Sequence, residues 1–186
     1  MTVQITRPVQ TDLAEAAVFF RHTIEDTFLR NHIPVVPPTE LAQECAWKLE
    51  ALQADLKSCG AERYFLIARE RGGIVGTVAL SPASEFVREH IPAIYHAWTC
   101  ITTVLVKPSW QCRGIGTQLL SAALGELRRR EEPGFLLDTG YATARVYWTA
   151  KLGEPDHVLP RFWYGKDDHC FWVRGVDRPT FPLHGA

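Results

Sequence analysis

The stretch Val104-Leu105-Val106-Lys107-Pro108-Ser109-Trp110-Gln111-Cys112-Arg113-Gly114-Ile115-Gly116-Thr117-Gln118-Leu119-Leu120 reads as a strand, a glycine turn and a helix in immediate succession. A β-branched run from Thr99 to Lys107 brings the chain in, and Pro108 to Arg113 forms a turn. Ile115, Leu119, Leu120, Ala123, Leu124 and Leu127 then recur at helical spacing. A glycine turn entering a helix leaves backbone N–H groups without intrahelical acceptors, and the helix dipole adds positive potential there. The junction is therefore an anion cradle whose natural occupant is a phosphate. A side chain at Gly114 or Gly116 would hold the anion off or demand an unfavourable dihedral. Two nucleotide-binding patterns fail here: no Gly-Lys-Ser/Thr follows at the Walker spacing, and Leu119 stands where a dinucleotide fingerprint needs its third Gly or Ala. What remains is Gln-x-x-Gly-x-Gly behind a Val-x-Pro strand end.

Outward from this segment the chain alternates recognisable elements. Upstream, Thr11 or Asp12 caps an apolar run from Leu13 to Phe20, continued by Ile24 and Phe28, a first helix with a break expected near His22. Ile33 to Pro38 holds three prolines and reads as a loop. Leu41, Cys45, Leu49, Leu52 and Leu56 predict a second helix, with Gly60 at its C-terminal cap. Tyr64 to Ala68 and Ile74 to Leu80 are β-rich runs separated by Gly72-Gly73, a hairpin pattern, and Pro82 ends the second of them. Residues 82 to 98 show no period and read as an irregular excursion. Downstream follow a strand from Phe135 to Thr139, a short helix from Thr143 to Leu152 stopped by Gly153, and extended segments over Val158 to Trp163 and Cys170 to Arg174. The tail from Asp177 reads as loose. Helices and strands alternate only in the second half while the middle strands form a hairpin, so a mixed sheet fits better than a doubly wound parallel one.

Composition sets limits on function. With 186 residues, 46% hydrophobic and 22% charged, the chain has the make-up of one globular domain, not of a disordered segment. Twenty Lys and Arg against 21 Asp and Glu give a net charge of −1, which disfavours nucleic acid as partner. No apolar run approaches the roughly 18 residues of a bilayer span. The N-terminal residues read as a short strand instead of a leader, so a cytoplasmic location is expected. Five cysteines, none in a Cys-x-x-Cys pair, are expected to be reduced thiols.

Gln111-Cys112-Arg113-Gly114-Ile115-Gly116 resembles the coenzyme-binding motif of the GNAT superfamily of N-acetyltransferases, in which Gln or Arg is followed by two residues, Gly, one residue, then Gly or Ala. The resemblance extends to the two N-terminal helices, the Gly-Gly hairpin, the Val-x-Pro strand, the strand at Phe135, the helix ending in Lys151-Leu152-Gly153 and a late hairpin over Leu159 to Asp168. It implies an α/β (α+β) fold, a mixed and mostly antiparallel central sheet flanked by helices, as a single acetyltransferase domain over residues 1–176 with a tail over 177–186. It further implies acetyl-CoA as co-substrate and no metal. The backbone of Leu105 and Val106 would pair with the pantetheine arm, and the amides of Gln111, Cys112, Arg113, Gly114, Ile115, Gly116 and Thr117 would hold the pyrophosphate. The side chains of Cys112 and Arg113 would then point outward or toward the 3′-phosphate. The acceptor is then an amine of a small molecule or peptide, and homodimerisation is a family-level expectation.

Two positions depart from that pattern. Members often carry a glutamate base on the strand before the motif, and the matching position is Cys100. Glu85, Glu89, His90 and His96 are substitutes, directly or through water. The phenol that protonates the leaving thiolate lies about four residues before a Gly-Phe pair; counting back from Gly153 selects Thr149, whereas counting forward from Thr143 selects the region of Tyr147. Only Tyr147 offers a phenol, so it is the candidate acid. The competing reading is a coenzyme-binding sensor that has lost turnover. Arg128-Arg129-Arg130 closes a helix and reads as a cap. Phe162, Trp163, Phe171 and Trp172 read as core or dimer surface, and His157, His169 and Cys170 match no common metal spacing.

Overall fold

The structure, a computed structural model, describes residues 3–33 and 39–177. Most of the loop expected over 33–38 and of the tail from 177 lies outside the described residues. Among the described residues seven strands run in the order β1-β2-β3-β4-β5-β7-β6, flanked by helices and mostly antiparallel, as the sequence predicts. The chain forms two compact units, Met1–Leu80 with Thr103–Ala123, and Ser81–Thr102 with Leu124–Ala186.

In the first unit β1 (Gln4–Thr6) pairs with β2 (Tyr64–Glu70), and β2 with β3 (Gly73–Pro82). The β2–β3 turn rests on Arg71 at φ 48° and Gly72 at φ 83°. Two successive left-handed residues make the mirror-image turn whose twist suits a hairpin, one residue earlier than the Gly72-Gly73 pair suggests. Helix α1 (Leu13–Arg30) is continuous, correcting the expected break: the buried stripe of Phe19, Phe20, Thr23, Ile24 and Phe28 carries on past His22, which simply faces outward. Asp12 precedes it, with Thr11 in a 3-10 turn, and the Asp12 carboxylate accepts the Val9 N–H at 2.7 Å. Helix α2 (Thr39–Ser58) ends at Cys59 and Gly60, both left-handed, with the Gly60 N–H on the Asp55 carbonyl at 3.0 Å. The Asp55 side chain is fully buried, ion-paired to Arg7 at 2.7 Å, and accepts the Phe65 N–H at 3.0 Å.

The second unit carries the start of β4 (Thr99–Val106), β5 (Gly134–Thr139), β6 (His157–Trp163) and β7 (Asp167–Gly175). Strand β4 pairs with β5 in parallel at Thr99↔Phe135 and Cys100↔Leu136, and β5 runs antiparallel to β7. The stretch expected to be irregular contains a helix, α3 (Glu85–His90), whose N-terminus Ser84 caps by accepting the Val87 N–H at 3.2 Å. Val87 packs with Ala83, Ile91, Cys100, Leu136 and Phe171 over one face of these strands. Helix α4 (Ile115–Arg129) buries Ile115, Leu119, Leu120, Ala123, Leu124 and Leu127, and α5 (Ala142–Leu152) buries Trp148 and Leu152 before Gly153 turns left-handed at φ 78°. Phe171 and Trp172 are core, whereas Phe162 and Trp163 are about two-fifths exposed.

Candidate functional site

The end of β4 is distorted where the sequence places the cradle. Thr103 sits inside the strand at φ 52°, a conformation that a β-branched residue adopts only under constraint. Its carbonyl accepts the Thr77 hydroxyl at 2.9 Å, and the Lys107 N–H closes on the Val75 carbonyl at 2.9 Å, so β3 fixes both sides of the distortion. A 3-10 turn over Pro108–Trp110 follows, Cys112 turns left-handed at φ 59°, Gly114 does so at φ 77°, and α4 starts at Ile115. The first bond of α4 runs from the Gln118 N–H to the Gly114 carbonyl at 3.0 Å. The N–H groups of Ile115, Gly116 and Thr117 therefore have no acceptor within the helix. Cys112, Arg113 and Gly114 are exposed, Gly116 and Thr117 half-buried, and Ile115 anchors the turn in the core. Exposed donors at a helix N-terminus next to a left-handed glycine are what a phosphate needs.

Gln111 braces this loop with its side chain. Its Nε2 donates to the Val106 carbonyl at 3.1 Å and its Oε1 accepts from Arg30 Nη1 at 2.8 Å, while Arg30 Nε lies 2.8 Å from the Asp26 carboxylate. The Arg113 guanidinium stacks 4.8 Å from the Trp110 ring centroid. Gly76 brings the pieces together: a Cβ there would stand 2.9 Å from Leu119 Cδ1, 3.0 Å from the Leu105 carbonyl oxygen and 3.2 Å from Ile115 Cγ2. Beside the loop, His22, Glu25, Asp26, Leu29, Lys107, Pro108 and Ser109 line a cleft of about 340 Å³.

The remaining candidates lie in the second unit. Tyr147 is half-buried on α5, its hydroxyl oxygen closed off from solvent and its ring edge-on to Trp148 at 4.9 Å. Thr149, on the same helix, is half-buried and its carbonyl accepts the Gly153 N–H at 3.0 Å. Glu85 and Glu89 are exposed on α3. His90 Nδ1 lies 2.8 Å from the Phe86 carbonyl and His96 Nε2 lies 3.0 Å from the Ile91 carbonyl, so each ring spends one nitrogen on its own segment. Cys100 is buried; burial first, and then the negative charge of Asp138, push its thiol up to about 12, which removes it as a base.

Sequence reasoning passed over Asp138. Its Oδ2 lies 2.9 Å from His169 Nε2, and His169 Nδ1 accepts the Trp163 indole N–H at 2.9 Å. An indole nitrogen can only donate, so Nδ1 of His169 is the bare nitrogen and Nε2 carries the hydrogen that it gives to Asp138. Trp163 reaches this position because Gly140 has no side chain: a Cβ there would fall 2.2 Å from the indole nitrogen. The one hint in the sequence is a charged residue within the apolar run Phe135-Leu136-Leu137-Asp138. Among the described residues no group of three His, Cys, Asp or Glu could hold a metal ion, and no helix is long and apolar enough to cross a membrane.

The profile of the acetyltransferase (GNAT) family matches residues 23–153. Solved structures share the fold at low identity. The PaiA N-acetyltransferase of Thermoplasma acidophilum, in complex with coenzyme A, has a TM-score of 0.67 at 12% identity, over 94% of this chain and 100% of its own. A GNAT family acetyltransferase of Brucella melitensis, in complex with acetyl-CoA, has a TM-score of 0.55 at 19% identity, over 97% of this chain and 92% of its own. The aminoglycoside 6′-acetyltransferase type Ii has a TM-score of 0.62 at 16% identity, over 95% of this chain and 97% of its own. At such identities the likeness concerns the fold alone. A search of the curated proteins finds no match.

Proposed function

Because the chain belongs to the GNAT acetyltransferase family, we propose that it transfers an acetyl group from acetyl-CoA to a primary amine. The observation that carries this reading is the run from Gln111 to Thr117, where left-handed Cys112 and Gly114 lead into α4 and its three opening N–H groups have no acceptor within the helix. These donors, with the α4 dipole, suit a pyrophosphate. The left-handed Thr103 supports a role for β4, since a distorted strand presents backbone groups that a regular ladder would consume. In this reading Leu105 and Val106 offer their backbone to the pantetheine arm. The amine nitrogen forms a bond to the thioester carbon, the carbon–sulfur bond breaks with its electron pair on sulfur, the Tyr147 hydroxyl gives the leaving thiolate a proton, and the proton shed by the new amide nitrogen passes to solvent, from which the phenolate is reprotonated. Several solved relatives of the fold contain coenzyme A or acetyl-CoA, which favours the same co-substrate here. The reading places the protein in the cytoplasm and includes a homodimer, which light scattering tests.

The decisive experiment is calorimetric titration with acetyl-CoA, followed by thiol release across an amine panel. Saturable binding with amine-dependent release is the expected result. Binding without release from any amine would mark a sensor on this fold, and no binding at millimolar coenzyme overturns both. Gly114→Val should abolish coenzyme binding while the protein stays folded, because the cost falls on an exposed left-handed position.

A further inference from the structure

Asp138 presents an unusual electrostatic situation. Its side chain is only 24% exposed, and among the described residues no lysine or arginine ion-pairs with it. Among the described residues the hydrogen-bond partner of its carboxylate is His169, whose Nε2 faces Oδ2 while Nδ1 takes the Trp163 indole N–H. Arg88 of α3 donates its Nη1 to the Ala83 carbonyl at 2.5 Å. With Oδ2 bonded to His169 and about a quarter of the side chain open to solvent, this carboxylate can take a cation from outside.

The surroundings specify which cation. Asp138 pairs with Phe171 across β5 and β7, so the two side chains share a sheet face, and His169 lies two residues along on the same face. Phe86 of α3 stands edge-on to His169 at 4.9 Å, and Phe162 lies 5.4 Å from Phe86 and 5.1 Å from Trp163. His90 stacks on Phe171 at 5.7 Å and His157 lies 5.7 Å from the same ring on the β6 side. The cluster opens to solvent at Phe162 and Trp163. Aromatic rings packed around His169, the partner of the carboxylate, suit an ammonium on an apolar body far better than a hydrated metal ion or a polyol.

We propose that Asp138, held by His169, around which Phe86, Phe162 and Trp163 pack, is the receptor for a primary ammonium group carried on an aromatic or aliphatic body. Its assignment as the acceptor's site rests on the acetyl-transfer reading above. A docked ammonium becomes a nucleophile by passing one proton to Oδ1, which frees the nitrogen lone pair, neutralises the carboxyl and changes no other bond.

The test is ligand-observed NMR on the full-length protein with 2-phenylethylammonium, using 2-phenylethanol as the neutral comparator of nearly the same shape. The expected result is saturable binding of the ammonium, about 10- to 100-fold tighter than the alcohol, with Asp138→Asn removing that preference. Phe162→Ala, an exposed position, should weaken the aromatic ammonium more than n-butylammonium. Equal binding of ammonium and alcohol, absence of ammonium binding, or a preference that survives Asp138→Asn overturns the proposal. If Asp138→Asn fails to fold, the ammonium-to-alcohol ratio in the wild type and the Phe162→Ala comparison decide. Acetyl-CoA titrated into the same sample reads out separately: a cation site without coenzyme binding removes acetyl transfer, and coenzyme binding without a cation site removes only this receptor.

Discussion

Arg30 Nη1 donates to Gln111 Oε1 at 2.8 Å, joining the last turn of α1 to the first residue of the anion cradle across 81 positions of sequence. Gln111 turns its other end to the Val106 carbonyl, so the arginine braces the strand end as well as the loop. Arg30→Ala should weaken acetyl-CoA affinity by about 3- to 10-fold, and Gln111→Ala, which frees both partners, by at least 10-fold. The Arg30 side chain is about half exposed, so thermal melting should barely move. Titration calorimetry on the two variants checks the order; equal affinities for both and the wild type would show that the brace has no part in binding.

Gly76 leaves room for the Leu105 carbonyl, and backbone cannot swing aside as a leucine methyl can. Gly76→Ala should lower unfolding stability by about 1–3 kcal/mol. Gly125, exposed within α4 and open to solvent where a Cβ would stand, is the contrast: Gly125→Ala should raise stability by about 0.5–1 kcal/mol through helix propensity. Urea unfolding of the pair measures opposite signs from the same substitution.

Tyr147→Phe keeps the ring against Trp148 and removes only the hydroxyl. If that hydroxyl protonates the leaving thiolate, turnover falls roughly 10- to 1,000-fold with acetyl-CoA affinity unchanged. Thr149→Val is the control for the other counting register. Wild-type turnover in Tyr147→Phe would take the acid role away from this residue.

Glu126 lies between Arg129 at 2.7 Å and Arg130 at 2.7 Å, almost buried on α4. The hydrogen bond from Arg129, aided by Arg130, holds its carboxyl at about 2, below the ordinary 4.5, although burial works in the opposite direction. A depressed folded-state value means that the stabilisation is fully present above 4.5 and is lost as pH falls from there through about 2. Glu126→Gln should therefore narrow the stability difference between neutral and acid pH, and denaturant midpoints across that window should show a shallower slope than the wild type.

Local signals were legible where one short segment carries the physics. Gly60 and Gly153 end helices at left-handed turns, and the Gly114 junction opens α4, as spacing and residue type require. Helix α3 escaped notice because six residues are too few to establish a period, although Ser84 supplies an ordinary N-cap. The His22 break did not occur because a single polar residue on the outer face does not interrupt a buried stripe. Asp138 and His169 stayed hidden for another reason. They are 31 positions apart and meet only through the β5–β7 register, which no run of neighbouring residues records.

The first compact unit is interrupted in sequence: Met1–Leu80 is completed by Thr103–Ala123. During synthesis the α1, α2 and hairpin segments leave the ribosome with Gly76 facing no Leu119 or Ile115, and the partners for that close approach emerge only after the whole of Ser81–Thr102. At about 5–20 residues per second this half-built unit waits for seconds with apolar β3 uncovered. Chaperone dependence of the newborn chain should accordingly be concentrated before α4 appears, and an arrested chain ending short of Ala123 should be far more protease-sensitive than one extending past it.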